Sequence, residues 1–208
     1  MLTKDNLKNK LTEKAIKEVM ARKGHAYFDK GDFNLNIIGI RSDCGGKVTN
    51  KFDDYLLLMY YIGGNLTIKL YSITTEPGKY YMQSKLGNPQ GTAILVPGQY
   101  RGCWVIGKHN GKYDALVQVK PVKVYRDKNK DSVYDLAPST IDNGVFGINI
   151  HKSNPYGTSA TVDNWSAGCQ VFANAGDFAD FISICNKQRE KYGNSFTYTL
   201  LDEKDLAL

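Results

Sequence analysis

Between Ala26 and Val122 the chain repeats one pattern, a short β-branched or aromatic run followed by a break containing Gly, Pro or Asn. The runs read NLNIIGIRS, YLLLMYYIG, LTIKLYSITT, GTAILVPGQYRGCWVIG and DALVQVKPVKVYR, with GGK, GGN, EPGK, GNPQ, VPGQ and NGK as the breaks. Such side chains fit a pleated, half-buried surface, and Gly and Asn tolerate the positive φ of tight turns. The pattern predicts a mostly antiparallel sheet with hairpins at Gly63-Gly64-Asn65 and at Asn110-Gly111. With 208 residues, 42% of them hydrophobic, the chain can bury one sizeable core. The expected organisation is one domain over 25–208 with an amphipathic helix over 1–24.

That helix is read from Leu7, Leu11, Ala15, Val19 and Met20, which recur at helical spacing over Lys4–Lys23. Asp5 is placed to cap its start and Gly24 to end it. Its modest apolar face either docks on the domain or serves as a handle for assembly.

The chemistry sits later, in NGVFGINIHKSNPYGTSATVDNWSAGCQVF, from Asn143 to Phe172. If the first part is one extended strand, Val145, Gly147, Asn149 and His151 share a face, opposite the apolar Phe146, Ile148 and Ile150. His151 then faces away from the core at the strand end. The polar loop Lys152 to Trp165, with Pro155 and Gly157, is able to return the chain to the imidazole. Gly168 permits a tight turn before Cys169, and amides exposed in such a turn stabilise a tetrahedral oxyanion. A thiol becomes a nucleophile when a base takes its proton, so His151 and Cys169 form a candidate pair. On composition alone, a buried cysteine beside an incidental histidine is the commoner arrangement.

His151 followed by Ser166-Ala167-Gly168-Cys169 resembles the signature of the L,D-transpeptidase (YkuD-like) catalytic domain, and NWSAGCQVF resembles a divergent branch associated with bacteriophages and Bacteroidetes. The resemblance covers about the last two-thirds of the chain. It implies a β sandwich or partly closed barrel, α+β overall, with a helix after the catalytic cysteine. Cys169 would attack peptidoglycan stem peptides with His151 as its base. The Lys152 carbonyl would orient the ring, Gly168 would contribute to the oxyanion hole, and Ser166 would support the turn. The family has a second His where this chain has Ala167, and Arg or Asn where it has Val171. Those departures bear on substrate and turnover more than on fold. The competing expectation is a structural or wall-binding virion protein that keeps the fold, its N-terminal helix contacting other virion proteins; an unrelated cysteine peptidase acting on proteins is a third.

Trp165, Tyr156 and Arg101 are the candidate substrate contacts, Arg101 through a strand that also carries Tyr100 and Trp104 and ends near His109. His109, beside Asn110-Gly111, is read as a turn residue. The formal charge of +6 suits an anionic polymer such as the cell wall. No dense basic run or nucleic-acid-binding motif is present, so nucleic acid is not an expected partner.

Four cysteines, Cys44, Cys103, Cys169 and Cys185, lack any CxxC pair, which gives no zinc spacing; Cys103 and Cys185 are expected in the core and Cys44 on a loop. No cofactor is expected. Asp127, Asn129, Asp131 and Asp135 imitate half a calcium loop, but Ser132 and Pro138 stand where Gly and Glu belong, which favours a solvated acidic turn. The N-terminus has no apolar signal core and no window long enough to span a bilayer. The expectation is synthesis in the cytoplasm and action at the wall, with a virion or a holin as the route. Past Cys169, Gly176-Asp177 starts a helix presenting Phe178, Phe181, Ile182 and Cys185 and stopped by Gly193, then SFTYTLL is a strand and DEKDLAL a loose tail.

Overall fold

The strand-forming runs pair as their turns dictate, and the ring they make is closed. The structure, a computed structural model, describes Leu7 and residues 11–83, 89–129 and 131–206. The strands are β1 (Asn36–Arg41), β2 (Asp54–Ile62), β3 (Asn65–Thr74), β4 (Thr92–Leu95), β5 (Gly98–His109) and β6 (Tyr113–Gln118). After them come β7 (Val122–Asp127), β8 (Ile141–Gly144), β9 (Ile150–Lys152), β10 (Gln170–Phe172) and β11 (Phe196–Asp202). The helices are α1 (Glu13–Arg22), α2 (Lys79–Gln83) and α3 (Ala175–Tyr192). The protein is mainly β. Eight strands form a barrel in the order β1-β11-β5-β6-β9-β10-β3-β2, while β4, β7 and β8 make a separate sheet.

The β2–β3 hairpin turns on two residues, Gly63 and Gly64, at φ 56° and 80°. Positive φ at both central positions matches the twist of the flanking strands, which is why Gly-Gly works there. The β5–β6 hairpin turns through Asn110 and Gly111, also at positive φ. Most ladders are antiparallel, but β1–β11 and β9–β10 are parallel. Those two pairs close the ring, so the barrel is complete rather than a sandwich or a partly open sheet. The closing contacts are short, β3 meeting β10 over two residues and β6 meeting β9 at one.

The main core gathers Leu56 and Leu58 of β2, Trp104 of β5, Ile150 of β9, Phe172 of β10 and Tyr198 of β11. Phe178, Phe181, Ile184 and Cys185 of α3 join it. Asn174 caps α3 by accepting the Asp177 amide, and Gly193 ends it at φ 85°. Trp104 is fully buried with its indole N–H donating to the Ile148 carbonyl at 2.7 Å, so its one polar group is satisfied.

A second cluster lies on another face of the wall, where Ile16, Val19 and Met20 of α1 meet Ile38, Ile40, Leu57 and Met59. Here α1 is docked on the barrel. It starts at Glu13 with Thr12 as its cap, the threonine hydroxyl accepting the Ala15 amide. The expected continuous helix from Lys4 is therefore interrupted at Leu11-Thr12, because Thr12 takes extended geometry; Asp5, its expected cap, lies outside the described residues. The C-terminal segment is anchored, not loose, over Glu203–Leu206. It forms a 3-10 turn that buries Leu206 and pairs Asp205 with Lys23. Among the described residues no helix is long and apolar enough to cross a membrane.

Candidate active site

The stretch from Asn143 to His151 is not one strand. It leaves the small sheet at Gly144, bends through Gly147 at φ 74°, and enters the barrel only at Ile150. Glycine takes that φ without a Cβ clash, which lets the chain change sheets while Ile148 and Ile150 remain buried. The Gln118 side chain holds the crossing, its Oε1 accepting the Phe146 and Ile148 amides.

The register of β9 against β10 then decides what faces the cleft. Gln170 sits beside Ile150 and Val171 beside His151, and the Gln170 amide donates to the Asn149 carbonyl. Ile150 belongs to the core and the Gln170 Oε1 accepts the Tyr198 hydroxyl, so these two point inward. Alternation puts His151 and Cys169 on the opposite, outer face, on adjacent parallel strands two residues out of step. With strands ~4.8 Å apart and ~3.3 Å of rise per residue, that diagonal is about 8 Å between backbones, a gap that a histidine side chain spans.

The turn before Cys169 is built around Ser166 and Gly168. The buried Ser166 hydroxyl donates to the Cys169 carbonyl at 2.9 Å and accepts the Gly168 amide at 3.1 Å. The Ser166 carbonyl accepts the Gly78 amide at 2.9 Å, which ties the turn to the start of α2. Gly168 has φ 131°, and a Cβ there would meet the Ala93 carbonyl oxygen at 1.8 Å. Gly168→Ala is therefore expected to destabilise the fold by at least about 2 kcal/mol through unfavourable φ and the clash, as urea unfolding would show. Because the Gly168 amide is already bonded to Ser166, it does not supply an oxyanion donor. The Cys169 amide, with no acceptor among the described residues, is the donor left at this turn.

His151 is buried, and its Nδ1 lies 2.8 Å from the Lys152 carbonyl. A carbonyl only accepts, so Nδ1 carries the proton and Nε2 offers its lone pair. The Tyr113 hydroxyl lies 3.3 Å from the same carbonyl and 3.4 Å from Nδ1. Burial lowers the His151 pKa to about 3, with His109 adding to the effect and the Lys152 carbonyl opposing it. Burial pushes the Cys169 thiol up to about 11, partly offset by the Asn149 amide. Its S–H donates to the Gly147 carbonyl at 3.3 Å. The pair therefore rests as neutral imidazole and neutral thiol, and rotating the S–H away from Gly147 is the first event any activation needs.

Both residues line a cleft of about 560 Å³, together with Tyr81, His109, Lys112, Tyr113, Lys152 and Trp165. Trp165 is thus at the site. Two other candidates are not. Tyr156 is 95% exposed and outside the lining, and Arg101 lies in a separate groove with Phe28 and Tyr192. Arg101 and His109 are eight residues apart on β5, roughly 26 Å, so the strand expected to extend the cleft carries its arginine to the far end. Tyr156 fails because the loop bends at Asn154, whose Oδ1 accepts the Tyr156 amide and turns the side chain to solvent.

His109 is more than the turn residue its Asn110-Gly111 neighbours suggest: its ring stacks on His151 at 4.0 Å between centroids and 18° between planes. Nothing local marks that contact, which joins β5 to β9. The Asp127, Asn129 and Asp131 stretch makes local turns, Asn129 accepting the Asp131 amide and Asp131 the Val133 amide, while Asp127 is buried and accepts the Asp135 amide. Among the described residues no group of three or more His, Cys, Asp or Glu converges to hold a metal ion.

No family model, curated protein or solved structure matches this chain. What the geometry offers is a partly exposed thiol and a histidine whose proton position is fixed, in one cleft walled by aromatic and basic side chains.

Proposed function

We propose that the protein is a cysteine-dependent acyl-transfer enzyme acting on peptide stems of peptidoglycan. The observation that carries the chemistry is the Lys152 carbonyl on His151 Nδ1, in the same cleft as Cys169. It leaves Nε2 as a base directed by position instead of by tautomer exchange. In the reaction Cys169 Sγ attacks the stem carbonyl while its proton passes to His151 Nε2, and the Cys169 amide stabilises the oxyanion. The imidazolium returns that proton to the leaving amine as the C–N bond breaks. A second amine then resolves the thioester by transfer, or water resolves it by hydrolysis.

The substrate class is supported by the resemblance of His151 and Ser166-Ala167-Gly168-Cys169 to L,D-transpeptidase domains, a YkuD-like barrel being the corresponding fold. The cleft composition agrees: among the described residues Lys112 and Lys152 line it and no Asp or Glu does, which suits a stem that bears carboxylates. On this reading the protein acts at the cell wall, carried there by a virion. One observation favours a wall-binding protein without turnover, namely that the Gly168 amide is occupied by Ser166 and the oxyanion site is reduced to a single donor.

The two readings separate by experiment. Muropeptides incubated with the protein should give crosslinked or shortened products by mass; unchanged muropeptides would leave only binding. Iodoacetamide should alkylate Cys169 ahead of Cys103 and Cys185, which are buried. Because the thiol rests protonated, the rate should climb through pH 8–10 without a plateau near neutrality, approaching its limit around the Cys169 value of about 11. A plateau below pH 7 would mean a preformed thiolate–imidazolium pair and would overturn the general-base description.

A further inference from the structure

The His109 ring is set against His151 by a device of its own. Its Nδ1 lies 3.1 Å from Asn149 Nδ2 and its Nε2 lies 3.1 Å from Asn110 Nδ2; one of these two amides must turn its oxygen to the ring, and the exposed Asn110 is the one able to do so, presenting Oδ1 to an Nε2 proton. The Asn149 amide cannot be turned round, because its Oδ1 already accepts the Gln118 backbone amide at 3.0 Å. Asn149 Nδ2 must donate, so His109 Nδ1 must accept and its proton must sit on Nε2. An imidazolium would place N–H against N–H at that contact. Asn149 thus holds His109 neutral and fixes its tautomer through a side chain, as Lys152 fixes that of His151 through a backbone carbonyl.

We propose that His109 is a positioning residue for His151, a neutral ring locked by Asn149 against which the catalytic imidazole stacks. This rests on the acyl-transfer reading for its purpose, though not for its geometry. The stacked face limits rotation of the His151 ring about its side chain, so that Nε2 keeps one direction while Nδ1 stays on the Lys152 carbonyl. When Cys169 gives up its proton, the imidazolium formed on His151 lies against a ring that Asn149 keeps neutral, so it is spared the repulsion that a charged His109 would exert. Among the described residues, the other titratable groups lining the cleft of the stacked pair are Tyr81 from α2, Lys112 from the turn, Tyr113 from β6, Lys152 from β9 and Cys169 before β10. Lys108 of β5 is paired with Asp114.

The test combines nitrogen-15 NMR of the histidine rings with Cys169 alkylation on the full chain. In the wild type His109 should show one tautomer, protonated on Nε2, and His151 one tautomer, protonated on Nδ1. His109→Ala should let His151 populate both tautomers and slow alkylation at pH 7.5 about tenfold, less than the roughly hundredfold cost of a full 1 Å misplacement because the Lys152 carbonyl still holds Nδ1 part of the time. His109→Phe, which keeps a flat ring in place and guards against a folding artefact, should restore the single His151 tautomer and a rate close to wild type. Asn149→Leu should free the His109 proton and raise its titration midpoint. A His109 protonated on Nδ1, or a His109→Ala variant with unchanged His151 tautomer and alkylation rate, overturns the proposal. Should wild-type Cys169 prove indifferent to His151→Ala while the His151 tautomer still responds to His109→Ala, the acyl-transfer reading falls and the positioning role stands.

Discussion

Cys169→Ala is expected to abolish product formation from muropeptides, and His151→Ala to lower kcat about 10²–10⁴-fold, the range for loss of a positioned general base. The two differ because they remove different things. Without Sγ there is no thioester and no covalent route. Without the imidazole the nucleophile survives, but its thiol, raised to about 11 by burial, is almost wholly protonated at neutral pH. The His151→Ala loss should therefore shrink as pH rises, since hydroxide begins to do what Nε2 did. Mass analysis of muropeptide products over a pH series reads both effects. Equal loss at every pH would show that His151 shapes the cleft and moves no proton.

Arg41→Met is expected to cost about 3–5 kcal/mol of stability in urea unfolding, the usual result of removing one partner from a buried ionic cluster. Arg41, Asp54 and Glu76 are all under 5% exposed. The guanidinium donates to the Thr75 hydroxyl and carbonyl, at 3.0 and 3.1 Å, and pairs with Glu76 at 3.5 Å. Asp54 accepts the Ser42 and Thr75 amides and the Thr75 hydroxyl. With three donors on Asp54 and one nearby cation, Asp54 is the carboxylate that stays charged and Glu76 the one that takes a proton. Burial, with Asp54 beside it, pushes Glu76 from 4.5 up to about 8.

The sign of the pH effect follows from that shift. A carboxyl whose folded pKa is raised binds its proton more tightly in the folded state than in the unfolded chain. Its contribution is fully present below about 4.5 and is lost as pH rises through about 8. Stability should fall from about pH 5 to about pH 8 and level off above it, and Glu76→Gln should flatten that fall. A wild-type curve already flat over this interval would refute the assignment of the proton to Glu76. The cluster also bears on the site, because two residues beyond Glu76 the Gly78 amide holds the Ser166 carbonyl. Arg41→Met should loosen the cysteine turn as well as the barrel.

The motif was legible because its spacing is local. Ser166, Gly168 and Cys169 act within one turn, and Lys152 reaches His151 through the very next carbonyl. The β runs were legible for the same reason, with Gly63-Gly64 and Asn110-Gly111 placing two hairpins by turn chemistry alone. The helix after Cys169 followed from the spacing of Phe178, Phe181 and Cys185. The break in the Asn143–His151 stretch is not legible, because alternation continues across Gly147 although the extended backbone does not. Arg101 and Tyr156 were misplaced because closeness in sequence to aromatic or catalytic residues says nothing about which end of a strand, or which side of a loop, faces a cleft.

What the sequence determined on its own is everything that depends on neighbours a few residues apart: period-two burial, the turns, the helix caps and the Ser166–Cys169 turn. What only the tertiary structure decided is everything that joins distant segments. The parallel pairs β1–β11 and β9–β10 close the barrel, the register of Val171 against His151 puts thiol and imidazole on one face, and β5 brings His109 against His151. Arg41, Asp54 and Glu76 become a buried cluster in the same way. The physical reason is that local propensity fixes the conformation of each segment, whereas the partner of each face is chosen by the burial free energy of the whole core, which no short window of sequence contains.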